Sequence, residues 1–191
     1  MTLLQVMADA DAAEVRLRTD ETNVINTELT SRGIGFDHWP VAADLDVSRP
    51  AEQILTEYAE PVAAINRDGR YRHIDVTALQ PDHSDPDWQA TATTARSKFL
   101  AEHRHAEDEV RFFVAGRGCF YLHLEPEVLA VVCESGDVLS VPAGTRHWFD
   151  MGSQPDFAAI RFFEREDGWI GDFTGDAIGQ RFPTLDQLAV T

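Results

Sequence analysis

Three histidines and one glutamate near the middle of the chain have the types and spacing of a metal site. His103 and His105 lie two residues apart, Glu109 follows closely, and His147 lies further along the chain. Three imidazoles and one carboxylate suit a borderline divalent ion such as iron(II), nickel or manganese. They would fill four of the six positions of an octahedral ion. Two open positions would let a substrate and another small molecule meet on the ion, so the set favours catalysis over structural support.

The spacing of these residues favours a β-sheet over a helix as the structure that carries them. Positions 103, 105 and 109 share parity, and side chains at even separations project from one face of a strand. Glu109 rejoins the two histidines if the intervening stretch stays extended or makes a compact detour. Because His147 comes 38 residues after Glu109, the four side chains meet only if the sheet curves on itself. We therefore predict a small barrel.

The rest of the chain supplies strands for such a barrel. Alternating and apolar runs predict early strands within the first forty residues and later strands at 71–76, 109–115, 119–124, 128–133, 137–141 and 157–163. Gly116-Arg117-Gly118 is predicted to close a hairpin between the strands at 109–115 and 119–124. Glu134-Ser135-Gly136 is predicted to join a second strand pair. Many short strands separated by glycine turns are typical of a sandwich or barrel.

Two helices and one domain complete the predicted organisation. Ser48 as cap and Pro50 in the first turn predict one helix, and a second is expected over 88–98. A chain of 191 residues suits one domain. We expect N-terminal strands and helices at 1–98, a metal-binding barrel core at 99–165 and an irregular C-terminal segment at 166–191.

The composition limits the classes of partner. The formal net charge is -17, from 16 basic and 33 acidic residues, and 43% of the residues are hydrophobic. A packed globule is expected, with a surface that repels nucleic acid and anionic membranes. We therefore expect neither nucleic acid nor a membrane as partner. An anionic substrate would need a local basic pocket, which draws attention to arginines inside apolar runs.

Cysteine usage and the N-terminus indicate the compartment. The chain has two cysteines, Cys119 and Cys133, and no CxxC motif, which favours a reducing compartment and buried thiols that only pack. Residues 1–6 lack the basic region and long apolar stretch of a signal peptide. No run of about 18 apolar residues occurs. We expect a soluble, cytoplasmic protein, and the acidic surface favours a monomer.

Two sequence motifs around the four candidate ligands resemble the motifs of the cupin superfamily. They are His103-x-His105-x-x-x-Glu109-(six residues)-Gly116 and Gly136-(five residues)-Pro142-x-Gly144-x-x-His147. Ser97 and Met151 stand where the motifs usually have glycine and asparagine. Neither position is a metal ligand, so these departures concern turn geometry. The resemblance implies a mainly β fold, the cupin double-stranded β-helix (jelly-roll) barrel, with a few peripheral helices.

A closer resemblance lies within the cupins. Residues 99–105, 109–112, 147–150 and 160–163 are similar to acireductone dioxygenase, and the similarity runs from about residue 95 to about residue 172. It implies an enzyme of methionine salvage that acts on O2 and the acireductone 1,2-dihydroxy-3-keto-5-methylthiopentene. With Fe(2+), the implied products are 4-methylthio-2-oxobutanoate and formate. With Ni(2+), they are methylthiopropionate, formate and carbon monoxide.

The resemblance and the strand parity together suggest further site residues. Arg111 has the parity of the ligands, and Arg161 lies in an apolar run; both are candidate catalytic residues that would neutralise the charge of an enediolate. The alternative is that they pair with structural acids. Phe99, Phe149 and Trp169 are the aromatic residues that the resemblance places against the substrate, where they would wall a slot for the methylthio tail. Core packing is the alternative for Phe99 and Phe149.

Two other functions remain open from the sequence. The chain would fit another metal-dependent cupin, such as a thiol dioxygenase or a sugar isomerase, although Glu109 argues against a thiol dioxygenase. It would also fit a cupin that binds a small ligand without catalysis. Glu102 is expected either to hold an imidazole N–H from behind or to be solvated. The other histidines are expected to be packed or solvated; they are His38, His73, His83 and His123.

Overall fold

Strands dominate the computed structural model, which describes residues 1–42, 45–82 and 84–188. Within these ranges the strands are β1 (Leu3–Ala8), β2 (Val15–Thr19), β3 (Gly35–His38), β4 (His73–Leu79), β5 (His103–Arg104), β6 (Glu109–Leu124), β7 (Glu127–Glu134), β8 (Asp137–Val141), β9 (Arg146–Asp150), β10 (Phe157–Phe163) and β11 (Asp172–Phe173). The bounds of β8 and β10 agree with the predicted strands, because each is an apolar run that is buried along most of its length.

The helices of the described residues are short and peripheral. They are α1 (Thr22–Ser31), α2 (Ala51–Glu57), α3 (Ala59–Ile65), α4 (Trp88–Ser97), α5 (Leu185–Leu188) and a 3-10 helix (Ile178–Arg181). The helix predicted after Ser48 starts directly after Pro50 and is interrupted at Tyr58. Helix α1 was not predicted, because only Ile25 and Leu29 are buried along it and its apolar periodicity is weak. None of the described helices is long and apolar enough to cross a membrane.

Strand β6 belongs to both halves of the barrel. Up to Gly116 it pairs antiparallel with β8 and β10, and from Arg117 onward it pairs antiparallel with β7 and β9. Strands β1 and β2 continue the sheet beyond β7, while β5 and β11 continue it beyond β9. Strands β3 and β4 add to the other half through β8 and β10. The predicted cupin barrel is confirmed, with strands that precede residue 98 completing both sheets.

The predicted hairpin at Gly116-Arg117-Gly118 is wrong, because residues 109–124 form one continuous strand. Gly116 has a φ of +62°, and a Cβ there would lie 1.9 Å from the carbonyl oxygen of Asp156. Only glycine tolerates both conditions. The glycine therefore bends the strand from one sheet into the other without reversing its direction.

The second predicted strand pair is also wrong in its pairing. Strands β7 and β8 both exist, and the turn between them lies at Ser135 and Gly136. However, they pair with different halves of β6. The turn therefore carries the chain from one sheet across to the other. Sequence patterns give strand positions, whereas partners depend on long-range contacts that no local pattern encodes.

The core follows the alternation of side chains along the strands. On the first half of β6, Phe113 points between the sheets, while Phe112 packs on the outside against the region of α2. On the second half, Phe120 points inward and Tyr121 outward, against the C-terminal segment. The inward positions thus change from odd to even numbers across the bend at Gly116. The outer face of the second sheet half is covered by residues after 177, so the C-terminal segment is part of the core packing.

Candidate metal centre

The four predicted ligands converge at one end of the space between the sheets. His103 on β5 lies opposite His147 on β9 in register, and His105 follows β5 directly. Glu109 opens β6 in the other sheet half. The chain reaches it by the compact detour that the parity argument allows, at residues 105–108. The ligand atoms of the three histidines lie within 4.8 Å of one another, and all three side chains are buried.

Backbone carbonyls hold each of the three imidazoles from behind. The Nδ1 atoms of His103 and His147 lie 2.8 Å from the carbonyl oxygens of Ala101 and Thr145, and Nδ1 of His105 lies 3.0 Å from that of Ile170. A carbonyl only accepts, so Nδ1 carries the proton in each ring. The three Nε2 lone pairs are then free to point into the centre. This tautomer leaves Nε2 of each ring available to bind a metal.

Glu109 divides its two oxygens between an arginine and the histidines. Oε1 is paired with Nη2 of Arg111. Oε2 lies 2.7 Å from Nε2 of His147 and 3.4 Å from Nε2 of His105. Despite that proximity, Glu109 Oε2 and His147 Nε2 are both buried without a hydrogen bond among the described residues. Buried polar atoms are almost always satisfied, and a divalent cation between these atoms would satisfy them.

The charges of the centre are arranged to receive a cation. Burial and the neighbouring His147 lower the pKa of His103 to about 4, so this ring is neutral at pH 7. Burial would raise the pKa of Glu109, but the charge of Arg111 holds it well below its ordinary range, so the carboxylate is ionised. Burial alone would lower the pKa of His105, but the nearby Glu109 carboxylate raises it. A metal ion bound to Nε2 of His105 would take the place of a proton on that atom.

Both predicted arginines line the same cavity as the ligands. Arg111 and Arg161 are directly opposite each other on β6 and β10. Arg111 pairs with Glu109, and burial lowers the pKa of its guanidinium. Arg161 makes a bidentate contact of 2.7 and 2.6 Å with Asp75, whose side chain is 52% exposed. Each arginine therefore has an acidic partner and also faces the cavity, so pairing and a role towards substrate are compatible.

The predicted aromatic residues lie in this cavity as well. Phe99, Phe149 and Trp169 contribute to its wall. Phe149 also packs against Phe120, with ring centroids 4.8 Å apart, so lining the cavity and core packing coexist. Trp169 is 52% exposed and stands at the mouth. Sequence reasoning missed Thr77 on β4, which also lines the cavity, because nothing in the local pattern connects that strand with the ligands.

Residues next to the ligands have structural partners. Glu102 is 1% exposed; it lies 2.5 Å from Nδ1 of His123 and accepts a hydrogen bond of 2.7 Å from the hydroxyl of Thr174. The imidazole that it holds is that of His123, which is no candidate ligand, so Glu102 neither supports a ligand ring nor is solvated. His38 is largely exposed beside Asp137, 2.8 Å away. His83 lies outside the described residues.

Comparison with known proteins identifies the family that uses this arrangement. The family model described as "ARD/ARD' family" matches residues 4–171. The chain belongs to the acireductone dioxygenase family. Among relatives, "Acireductone dioxygenase 2" of Nocardia farcinica is 65% identical over 188 residues, covering 98% of each chain. "Acireductone dioxygenase" of Prochlorococcus marinus strain MIT 9303 is 54% identical and covers 91% of this chain and 90% of the relative.

A solved structure of the family agrees with the fold. The acireductone dioxygenase of Bacillus anthracis, which has a cadmium ion in its active centre, superposes with a TM-score of 0.75 at 25% identity. The alignment covers 91% of this chain and 98% of that chain. The predicted family is thus confirmed. As a member of the acireductone dioxygenase family, the chain is a metal-dependent dioxygenase.

Proposed function

We propose that this chain is a metal-dependent acireductone dioxygenase that cleaves 1,2-dihydroxy-3-keto-5-methylthiopentene with O2. In this proposal one Fe(2+) or Ni(2+) is held by His103, His105, Glu109 and His147. The observation that carries it is a cluster of three buried histidines whose Nδ1 atoms face carbonyl oxygens, two of them with Nε2 within 3.4 Å of a buried, unsatisfied oxygen of Glu109. Nitrogen and oxygen donors of this kind suit both iron(II) and nickel.

A divalent ion bound there would act as a Lewis acid and template for the enediolate. The other tasks fall to the protein. Arg111 and Arg161 lie on one wall of the cavity, where their charges stabilise the substrate anion. Phe99 and Phe149 offer apolar surface to the methylthio tail and keep water from the reacting end. Fixing the anion and its tail at once supplies the orientation that carbon–carbon bond cleavage by O2 requires.

The identity of the metal decides the products in this proposal. With Fe(2+) we expect 4-methylthio-2-oxobutanoate and formate, and with Ni(2+) methylthiopropionate, formate and carbon monoxide. We further propose a role in methionine salvage, a cytoplasmic location and a monomeric state. The two buried, unpaired cysteines and the net charge of -17 support the last two.

Metal analysis and oxygen uptake test the proposal. The purified protein is expected to hold about one transition metal per chain, and His105→Ala to lose most of it, because an imidazole ligand is removed. His73→Ala is the matched control, since His73 is exposed on β4 away from the cavity. Full metal retention by His105→Ala would refute the ligand set. Absence of O2 uptake by metal-loaded wild type with the acireductone would refute the activity.

A further inference from the structure

One short segment, residues 164–171, lies directly behind two of the three histidines. We call it the clamp segment. The carbonyl oxygen of its residue Ile170 is the acceptor for Nδ1 of His105. Gly171 packs on the other ring so closely that a Cβ there would lie 3.0 Å from Cδ2 of His103. The orientation of both rings therefore depends on where this segment sits.

Glu107 fastens the clamp segment. Its side chain is 7% exposed, and its Oε1 accepts hydrogen bonds from the backbone N–H groups of Glu164 at 3.0 Å and Arg165 at 3.5 Å. Oε2 accepts a further bond of 3.3 Å from Nε of Arg165. Gly168 lies against the same carboxylate, since a Cβ there would come within 1.8 Å of Oε1. Although Glu107 stands between two candidate ligands in sequence, its carboxylate is fully engaged by the clamp segment.

Burial of apolar side chains does little to hold this part of the chain. Trp169 and Ile170 are 52% and 57% exposed, and Phe173, just beyond the segment, is 55% exposed. The strand that follows, β11, has two residues and, among the described strands, pairs with β5 alone. A segment with so little buried surface depends on its polar anchors for a fixed position.

We propose that Glu107 is a positioning residue that acts on His105 and His103 through the clamp segment and thereby sets the metal affinity. The inference rests on the metal centre proposed above and extends it to a residue that touches no ligand ring. Groups that orient metal-binding histidines typically change metal affinity by about 10-fold to 100-fold when they are lost. Loss of the Glu107 carboxylate frees the segment, lets the Ile170 carbonyl move away and loosens the His105 ring.

Cobalt(II) binding to the whole protein tests the proposal. We expect Glu107→Ala, which removes both acceptor oxygens, to weaken Co(2+) binding about 10-fold or more and to change the visible absorption spectrum of the bound ion. Gly168→Ala keeps the carboxylate but forces it away from the clamp segment, so it is expected to have the same two effects. This second variant keeps the test decisive if Glu107→Ala does not fold. Asp172→Asn is the matched control, because it removes only the exposed 2.8 Å ion pair with Arg104.

The outcomes separate this proposal from the function it rests on. Folded variants with wild-type Co(2+) affinity and spectrum would overturn the role of Glu107. The same loss in Asp172→Asn would also overturn it, since any change near β11 would then suffice. Failure of the wild-type protein to bind Co(2+) would instead refute the metal centre itself.

Discussion

Replacing Asp150 tests how firmly the cavity wall is built into the fold. The carboxylate is 1% exposed and accepts four hydrogen bonds. Two come from Arg96 in α4, at 2.7 and 2.9 Å, and they raise the pKa of that guanidinium. The other two come from the backbone N–H groups of Gly152 and Leu185, both at 2.9 Å. One side chain thus ties β9 to α4 and to the C-terminal segment.

The expected cost of Asp150→Ala follows from these partners. It removes one side of a largely buried ion pair, in which the Arg96 side chain is 19% exposed, and leaves two backbone donors without acceptors. Breaking a buried pair in this way typically lowers the free energy of unfolding by about 3–5 kcal/mol. Arg96→Ala leaves Asp150 with its two backbone donors, so a smaller loss of about 1–3 kcal/mol is expected.

Urea unfolding of both single variants and the double variant measures these values. The double variant is expected to be little less stable than Asp150→Ala, since the arginine has already lost its partner. A loss below about 1 kcal/mol for Asp150→Ala would refute the reasoning. So would strict additivity, because it would mean that the two side chains do not interact.

Three further predictions concern the cavity, the bend and a surface cluster. Arg161→Ala should lower kcat/KM about 10-fold or more at unchanged metal content; unchanged kinetics would leave Arg161 structural. Gly116→Ala should cost more than about 2 kcal/mol in urea unfolding, because its Cβ would strike Asp156; a stable variant would contradict the bend. Burial would raise the pKa of Glu127, but the hydrogen bond with Arg32 holds it below its ordinary value of 4.5. The stability that Glu127→Gln removes, under about 1 kcal/mol, should therefore be present above that pH and vanish as the pH falls below it; a pH-independent difference would exclude the ion pair.

The bounds of a barrel strand could be predicted from the sequence where the whole strand is a single buried apolar run. The strand at 157–163 illustrates this, since its predicted and observed bounds coincide. The run at 109–124 misled, because two glycines between apolar stretches are typical of a hairpin turn. What makes Gly116 a bend instead is the approach of the Asp156 backbone from 40 positions further along the chain. Contacts of such sequence separation leave no local signal.

The candidate site divides in the same way. The ligand set and the inward direction of Arg111 followed from residue type and strand parity, and the structure brings these side chains to one cavity. The acidic partner of Arg161 could not be predicted from the sequence, because Asp75 lies on a strand whose pairing with β10 was unknown. The carbonyl groups that accept hydrogen bonds from the histidines could not be predicted either, since any residue can supply a carbonyl.

The sequence by itself determined which atoms can bind a metal and that they belong on curved strands, because donor chemistry and strand parity are local properties. Tertiary structure alone decided how the side chains that carry those atoms are oriented. The Ile170 carbonyl that orients His105 comes from 65 residues away, and Glu107 holds the segment that contains it. The orientation of the ligand side chains depends on contacts between distant parts of the chain, and only the folded barrel brings those parts together.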